Sequence, residues 1–251
     1  MKKRWIFTLC AFISLFLAVN ACCSGLGETA GSAGKATRTI LMYACGSNLE
    51  ESYGMATWNL CQILESEITD DVNVLVMTGG AKTWKTEPEY LEGAESVSAN
   101  QENQLWLCSG RNAENAVNGH GRMTLLTDMP SDIERTLMSD PQTLLGFINY
   151  AAQRYPAQRY DLILWDHGGG PALGFGMDNR VEEENTMSVG AIAKCLKQSD
   201  VDRFDIVNFD ACLMSSVEVA ATLSECADYL VLSPETEPGY GQEYEIGRAH
   251  V

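Results

Sequence analysis

The stretch Tyr160-Asp161-Leu162-Ile163-Leu164-Trp165-Asp166-His167-Gly168-Gly169-Gly170 carries the fold in miniature. An apolar run of buried-strand type delivers an acid and an imidazole onto three glycines, which let backbone approach a substrate closely. A second stretch is built the same way: Phe204-Asp205-Ile206-Val207-Asn208-Phe209-Asp210-Ala211-Cys212-Leu213-Met214. Working outward, short apolar runs at 39–44, 71–78 and 229–232 read as further strands. Apolar residues at helical spacing over 49–66, 188–197 and 213–226 predict helices. A helix over 141–154 opens on Ser139-Asp140-Pro141, an N-cap candidate with proline in the first turn. Strand and helix alternate, which predicts an α/β fold with a mostly parallel sheet and helices on both faces. Residues 81–130 break the rhythm and read as an antiparallel hairpin excursion with strands near 104–108 and 122–126.

Composition narrows the function. The 251 residues carry a formal net charge of −17, which argues against a nucleic-acid binder, since that needs clustered Lys and Arg. A 45% hydrophobic share is too rich for a disordered chain. Nine cysteines without a C-x-x-C pair give little support to zinc sites or thioredoxin-like chemistry. Cys61, Cys195 and Cys226 read as core filler in apolar helical contexts.

The ends are read apart from the fold. Lys2, Lys3 and Arg4 precede an apolar run over 5–19 that is short for a span of about 20 residues, so 1–21 is expected to be an export signal. Val19-Asn20-Ala21-Cys22 resembles a lipobox, which makes Cys22 a lipidation candidate and a lipid the only expected membrane link. Residues 22–37 read as a flexible tether, and 38–245 as the folded domain. Residues 246–251 resemble the translation of a sequencing adapter, so the domain is expected to be incomplete at its C-terminal end. His250 is therefore set aside.

In open parallel sheets ligands gather at the carboxyl ends of the strands, and two of those ends carry reactive groups. His167 follows one strand. Cys212 follows the other, at the expected start of a helix, where free N–H groups and the dipole favour a thiolate. An imidazole able to take the thiol proton completes the nucleophile–base arrangement of a cysteine hydrolase. His-Gly-Gly-Gly also occurs in the oxyanion loop of esterases, but that fold needs Gly-x-Ser-x-Gly, which is absent from this sequence.

Leu164-Trp165-Asp166-His167-Gly168, followed by Asn208-Phe209-Asp210-Ala211-Cys212-Leu213-Met214, resembles the clostripain family of cysteine peptidases. The resemblance extends to Leu41-Met42-Tyr43-Ala44 with Asn48-Leu49, and to Glu235-Thr236-Glu237-Pro238-Gly239-Tyr240-Gly241. It implies a caspase-like α/β/α sandwich, Cys212 as nucleophile and His167 as general acid/base. It further implies an oxyanion hole from the N–H groups of Gly168 and Cys212, and cleavage of protein or peptide substrates after Arg or Lys. Asp210 would line the S1 pocket, a role a carboxylate suits; its other reading is a helix N-cap. Relatives are often matured by self-cleavage after a basic residue between His and Cys, and Arg180 is the best-placed candidate. The dyad requires no cofactor. Glu182-Glu183-Glu184 is a calcium candidate because some relatives need that ion, though its spacing fits no EF-hand and a solvated loop is the plainer reading. The alternative function is a non-catalytic surface lipoprotein that keeps the fold as a binding module.

Overall fold

The computed structural model describes residues 35–244. The expected export segment, Cys22, most of the expected tether and the tail with His250 lie outside the described residues. In chain order the elements are β1 (Ala36–Cys45), α1 (Ser47–Tyr53), α2 (Met55–Glu65), β2 (Val72–Gly79), β3 (Leu91–Glu92), β4 (Gln104–Cys108) and β5 (Met123–Leu125). They continue as α3 (Ser131–Glu134), α4 (Pro141–Arg154), β6 (Ala157–Trp165), α5 (Gly170–Leu173), α6 (Val189–Gln198), β7 (Phe204–Asp210), α7 (Val217–Leu223) and β8 (Ala227–Val231).

The strands form one eight-stranded sheet in the order β3-β5-β4-β2-β1-β6-β7-β8. From β2 to β8 every neighbouring pair is parallel. β4 joins β2 antiparallel, so the predicted hairpin is a continuation of the main sheet. Alternation along β1 explains the three layers. Leu41, Tyr43 and Cys45 face a core with Phe147 of α4 and Ile192 of α6, while Met42 and Ala44 face one with Leu60 of α2, Trp106 and Trp165. The protein is thus a mostly parallel α/β/α sandwich.

Local chemistry sets the helix ends. The Asp140 carboxylate accepts from the N–H of Gln142 ahead of α4, and the Ser188 hydroxyl from that of Ala191 in α6. The helix expected over 49–66 is two helices, because Gly54 takes φ 68° between them. The helix expected from 213 begins four residues later. Leu213 sits at φ 62°, a left-handed turn that a helix cannot continue through, and Ser216 caps α7 by accepting from the Val219 N–H. β1 reaches back into the stretch read as tether, since Ala36 is its first residue.

Chain order changes direction at the β1–β6 pair, with β1 leading to β2 on one side and β6 to β7 and β8 on the other, which makes that junction the sheet's switch point. The segments leaving the carboxyl ends of β1, β6 and β7 meet there.

Candidate active site

β6 and β7 run in register, Trp165 beside Asp210, and the Asp166 N–H donates to the Asp210 carbonyl. The two segments that follow therefore leave the sheet side by side. Their backbones pack so closely that a Cβ on Gly168 would overlap the Cys212 carbonyl oxygen and lie 3.0 Å from the Ala211 methyl. Only glycine fits there. His167 and Cys212 open onto one cavity of about 110 Å³, which Asp210, Asp166 and Glu237 also line.

Among the described residues no hydrogen bond joins His167 to Cys212. Each is held by a third group. His167 Nε2 lies 2.7 Å from Asn48 Oδ1. An amide oxygen only accepts, so Nε2 carries the proton and Nδ1 is left with the free lone pair. Burial lowers the imidazole pKa below its usual value, which favours the neutral ring. Asn48 was quoted in the sequence without a role. Its position just past the carboxyl end of β1, like those of His167 past β6 and Cys212 past β7, is the signal that marks it. Asn48→Ala is expected to lower kcat by about 10²-fold, the scale of a misplaced catalytic group. Asn48→Asp should restore rotational control but raise the imidazole pKa, moving the acid limb of the pH profile upward.

Cys212 does not stand at a helix N-terminus, contrary to the reading of the sequence. It occupies a turn ahead of Ser216, and its sulfur accepts a hydrogen bond from the Glu237 N–H at 3.2 Å. A backbone donor thus faces the sulfur where the helix dipole was expected to act. Burial raises the thiol pKa values of Cys45, Cys61, Cys195 and Cys226, and pushes that of Cys108 up to about 12. Those five suit packing; Cys212 faces the cavity. Among the described residues the amide N–H groups of Gly168 and Cys212 have no hydrogen-bond acceptor, as an oxyanion hole requires.

Asp210 is 4% exposed and does not cap a helix, a role that Ser216 fills. Its Oδ2 accepts from the Gln242 N–H at 3.0 Å and the Tyr244 hydroxyl at 2.6 Å. Glu237 comes back to the same place from beyond β8, its carboxyl pKa raised to about 7 by burial and then by the neighbouring Asp210 carboxylate. Asp166, next to the catalytic candidate, is buried between the Ser47 hydroxyl and the Met177 N–H, both at 2.5 Å. Burial holds its pKa near 7 in spite of those donors, and it ties the His167 loop to α1. Neither Glu237 nor Asp166 was given a role from the sequence, because each acts through partners distant in the chain.

Arg180, the self-cleavage candidate, is held in place by the surrounding fold. Its side chain is 8% exposed, and the guanidinium pairs with a fully buried Asp178 at 2.5 Å and donates to the carbonyls of Gln101 and Thr136. Asp178 in turn accepts from the Met138 N–H. A side chain so engaged is not free to enter an S1 pocket. Arg180→Met leaves a buried carboxylate unpaired and is expected to cost about 3 kcal/mol, a fall of roughly 6–12 °C in melting temperature for a domain of this size, checked by calorimetry. Glu182, Glu183 and Glu184 are exposed. Among the described residues no group of three or more His, Cys, Asp or Glu is arranged to hold a metal ion.

Comparison with known proteins identifies the family and supports the fold. A sequence profile of the clostripain family matches residues 42–250. Clostripain of Hathewaya histolytica is 33% identical over a stretch covering 43% of this chain and 23% of that protein. Among solved structures, a secreted C11 cysteine protease of Bacteroides thetaiotaomicron bound to an irreversible peptide inhibitor superposes with a TM-score of 0.61. It is 23% identical and covers 84% of this chain and 52% of its own. An inactive zymogen C11 protease of Parabacteroides distasonis gives 0.61 at 27% identity, covering 86% and 53%. The chain therefore spans about half the length of these proteases and 23% of the clostripain.

Proposed function

The chain belongs to the clostripain family of cysteine peptidases, and from that premise we propose that it is an exported cysteine endopeptidase cleaving peptide bonds after Arg or Lys. One observation carries the reading: the Cys212 thiol, the His167 imidazole and the Asp210 carboxylate line a single cavity at the ends of adjacent strands. In the proposed reaction His167 Nδ1 takes the thiol proton and the sulfur attacks the carbonyl carbon of the P1 residue. The oxyanion is received by the N–H groups of Gly168 and Cys212. The imidazolium then returns its proton to the departing amine, leaving a thioester that water hydrolyses with the same imidazole as base. Asp210, at the floor of the cavity, supplies the charge that selects a cationic P1 side chain. Export is supported by the positively charged, apolar N-terminal stretch and by relatives described as secreted.

The test is a comparison of P1 side chains. Asp210→Asn is expected to lower kcat/KM for a peptidyl-arginine coumarin substrate by about 10²-fold, the worth of one hydrogen bond between charged groups. Turnover of a substrate with an uncharged P1 residue should change little. Equal losses on both substrates would remove Asp210 from the S1 pocket.

A further inference from the structure

A second cavity, of about 330 Å³, adjoins the one that holds Cys212 and Asp210, and His167 is common to both. Its walls are Gly168, the short helix α5 with the turn after it, and residues 184–186. The backbone fixes those walls. Gly169 donates to the Gly174 carbonyl and Gly176 to that of His167, while Phe175 and Met187 exchange both amide bonds, at 2.9 and 2.8 Å. Phe175 and Met187 are buried in the core, so the walls stand before any ligand arrives. The polar groups of the lining are already engaged. The Thr186 hydroxyl donates to the Leu173 carbonyl. The Asn185 amide donates to the carbonyls of Asp178 and Glu183, and its oxygen accepts from the Asp178 N–H. What is left for a guest is the apolar surface of Ala172, Met177 and Leu173, a leucine 68% exposed to solvent, with the exposed Glu184 adding a negative charge.

We propose that this cavity is the S1′ subsite, and that it selects a large apolar residue directly after the cleaved bond and rejects an acidic one. The proposal rests on the peptidase reading above and extends it to the leaving half of the substrate. Consecutive side chains of an extended chain point to opposite sides, so the residues before and after the cleaved bond need separate cavities. The first goes to the cavity that Asp210 lines. His167 must reach the departing amine, so the leaving half passes on the other side of the imidazole. The cavity there has none of Cys212, Asp210 and Glu237 in its lining. It is also the larger of the two, with room for a leucine, methionine or phenylalanine side chain. Burying such a side chain against Leu173 withdraws apolar surface of both partners from water. A carboxylate in the same place would lose its hydration with the Thr186 and Asn185 donors engaged elsewhere, and would face the charge of Glu184.

The experiment measures kcat/KM of the 251-residue chain on internally quenched peptides with arginine or lysine before the bond and leucine, serine or glutamate after it. The parent is expected to favour leucine over serine about tenfold, the scale on which an apolar pocket discriminates, and to cleave the glutamate peptides slowest. Leu173→Ser, at an exposed position, should bring the leucine-to-serine ratio close to one. Ala172→Trp, which fills the cavity from a second exposed position, should do the same. Glu184→Gln should raise cleavage of the glutamate peptides relative to the serine ones. A parent that cleaves all three kinds alike has no such subsite, and the peptidase reading stands. A leucine preference that survives both Leu173→Ser and Ala172→Trp places the subsite elsewhere and overturns the assignment. If the parent cleaves none of the peptides, both readings fail together.

Discussion

Cys212→Ala is expected to reduce hydrolysis of a peptidyl-arginine coumarin substrate by a factor on the order of 10⁵–10⁶, the scale on which removing a nucleophile disables a hydrolase. That factor corresponds to about 7–8 kcal/mol of lost transition-state stabilisation. The fold should hardly notice. Cys212 is only partly buried, and its sulfur gives up one hydrogen bond from the Glu237 N–H, worth about 1 kcal/mol. Melting temperature and circular dichroism therefore separate loss of chemistry from loss of structure. The same variant should resist alkylation by a peptidyl-arginine chloromethylketone, which labels the parent at Cys212 alone despite its other thiols. Undiminished turnover would remove Cys212 from the mechanism. Short acyl esters hydrolysed equally well by parent and variant would point to the His-Gly-Gly-Gly loop working in another hydrolase.

The second large effect comes from a residue with no side chain. Gly168→Ala places a methyl group on the Cys212 carbonyl oxygen and within 3.1 Å of the Met214 side chain. The obstacle is backbone on one side and a packed core residue on the other, so the strain is relieved by parting the two segments that follow β6 and β7. Overpacking of this kind costs about 1–3 kcal/mol of stability. Catalysis should suffer more, because the same shift separates imidazole from thiol and turns the Gly168 N–H away from the oxyanion. A loss of at least about 10³-fold in kcat is expected, combining a misplaced base with a lost oxyanion donor. KM should move far less. A variant with parental kcat would show that the two segments are not in the contact that builds the site.

These two residues also show what was legible in the sequence. His167 and Cys212 each follow a largely apolar run, and a buried parallel strand gives that pattern by itself. The end of such a run is where a ligand-facing group must lie, so both positions and the α/β/α architecture could be read directly. What failed was the reading of local continuity. Leu213 and Met214 looked like the first apolar residues of a helix, yet Leu213 takes a left-handed turn and Ser216 is the true cap. Ser216, a hydroxyl residue preceding the β-branched run of α7, was the available signal. Gly54 was the equivalent mark inside the helix predicted over 49–66. Arg180 misled for the opposite reason. Its neighbours are polar, which reads as a solvated loop, but its partners Asp178, Gln101 and Thr136 are brought to it by the fold. Asn48 and Glu237 escaped because their roles depend on contacts across 119 and 25 positions of chain, which no local pattern encodes.

The pairing of Trp165 with Asp210 and the bond from the Asp166 amide to the Asp210 carbonyl place His167 and Cys212 each two residues beyond the last rung of one ladder. No hinge runs between them. Thermal or denaturant scans should therefore show turnover and sheet disappearing along one curve, which makes enzymatic rate a gauge of sheet integrity. A rearrangement that drew His167 away from Cys212 would have to begin in the two loops beyond the ladder, since the strands that carry them stay joined as far as their last rung.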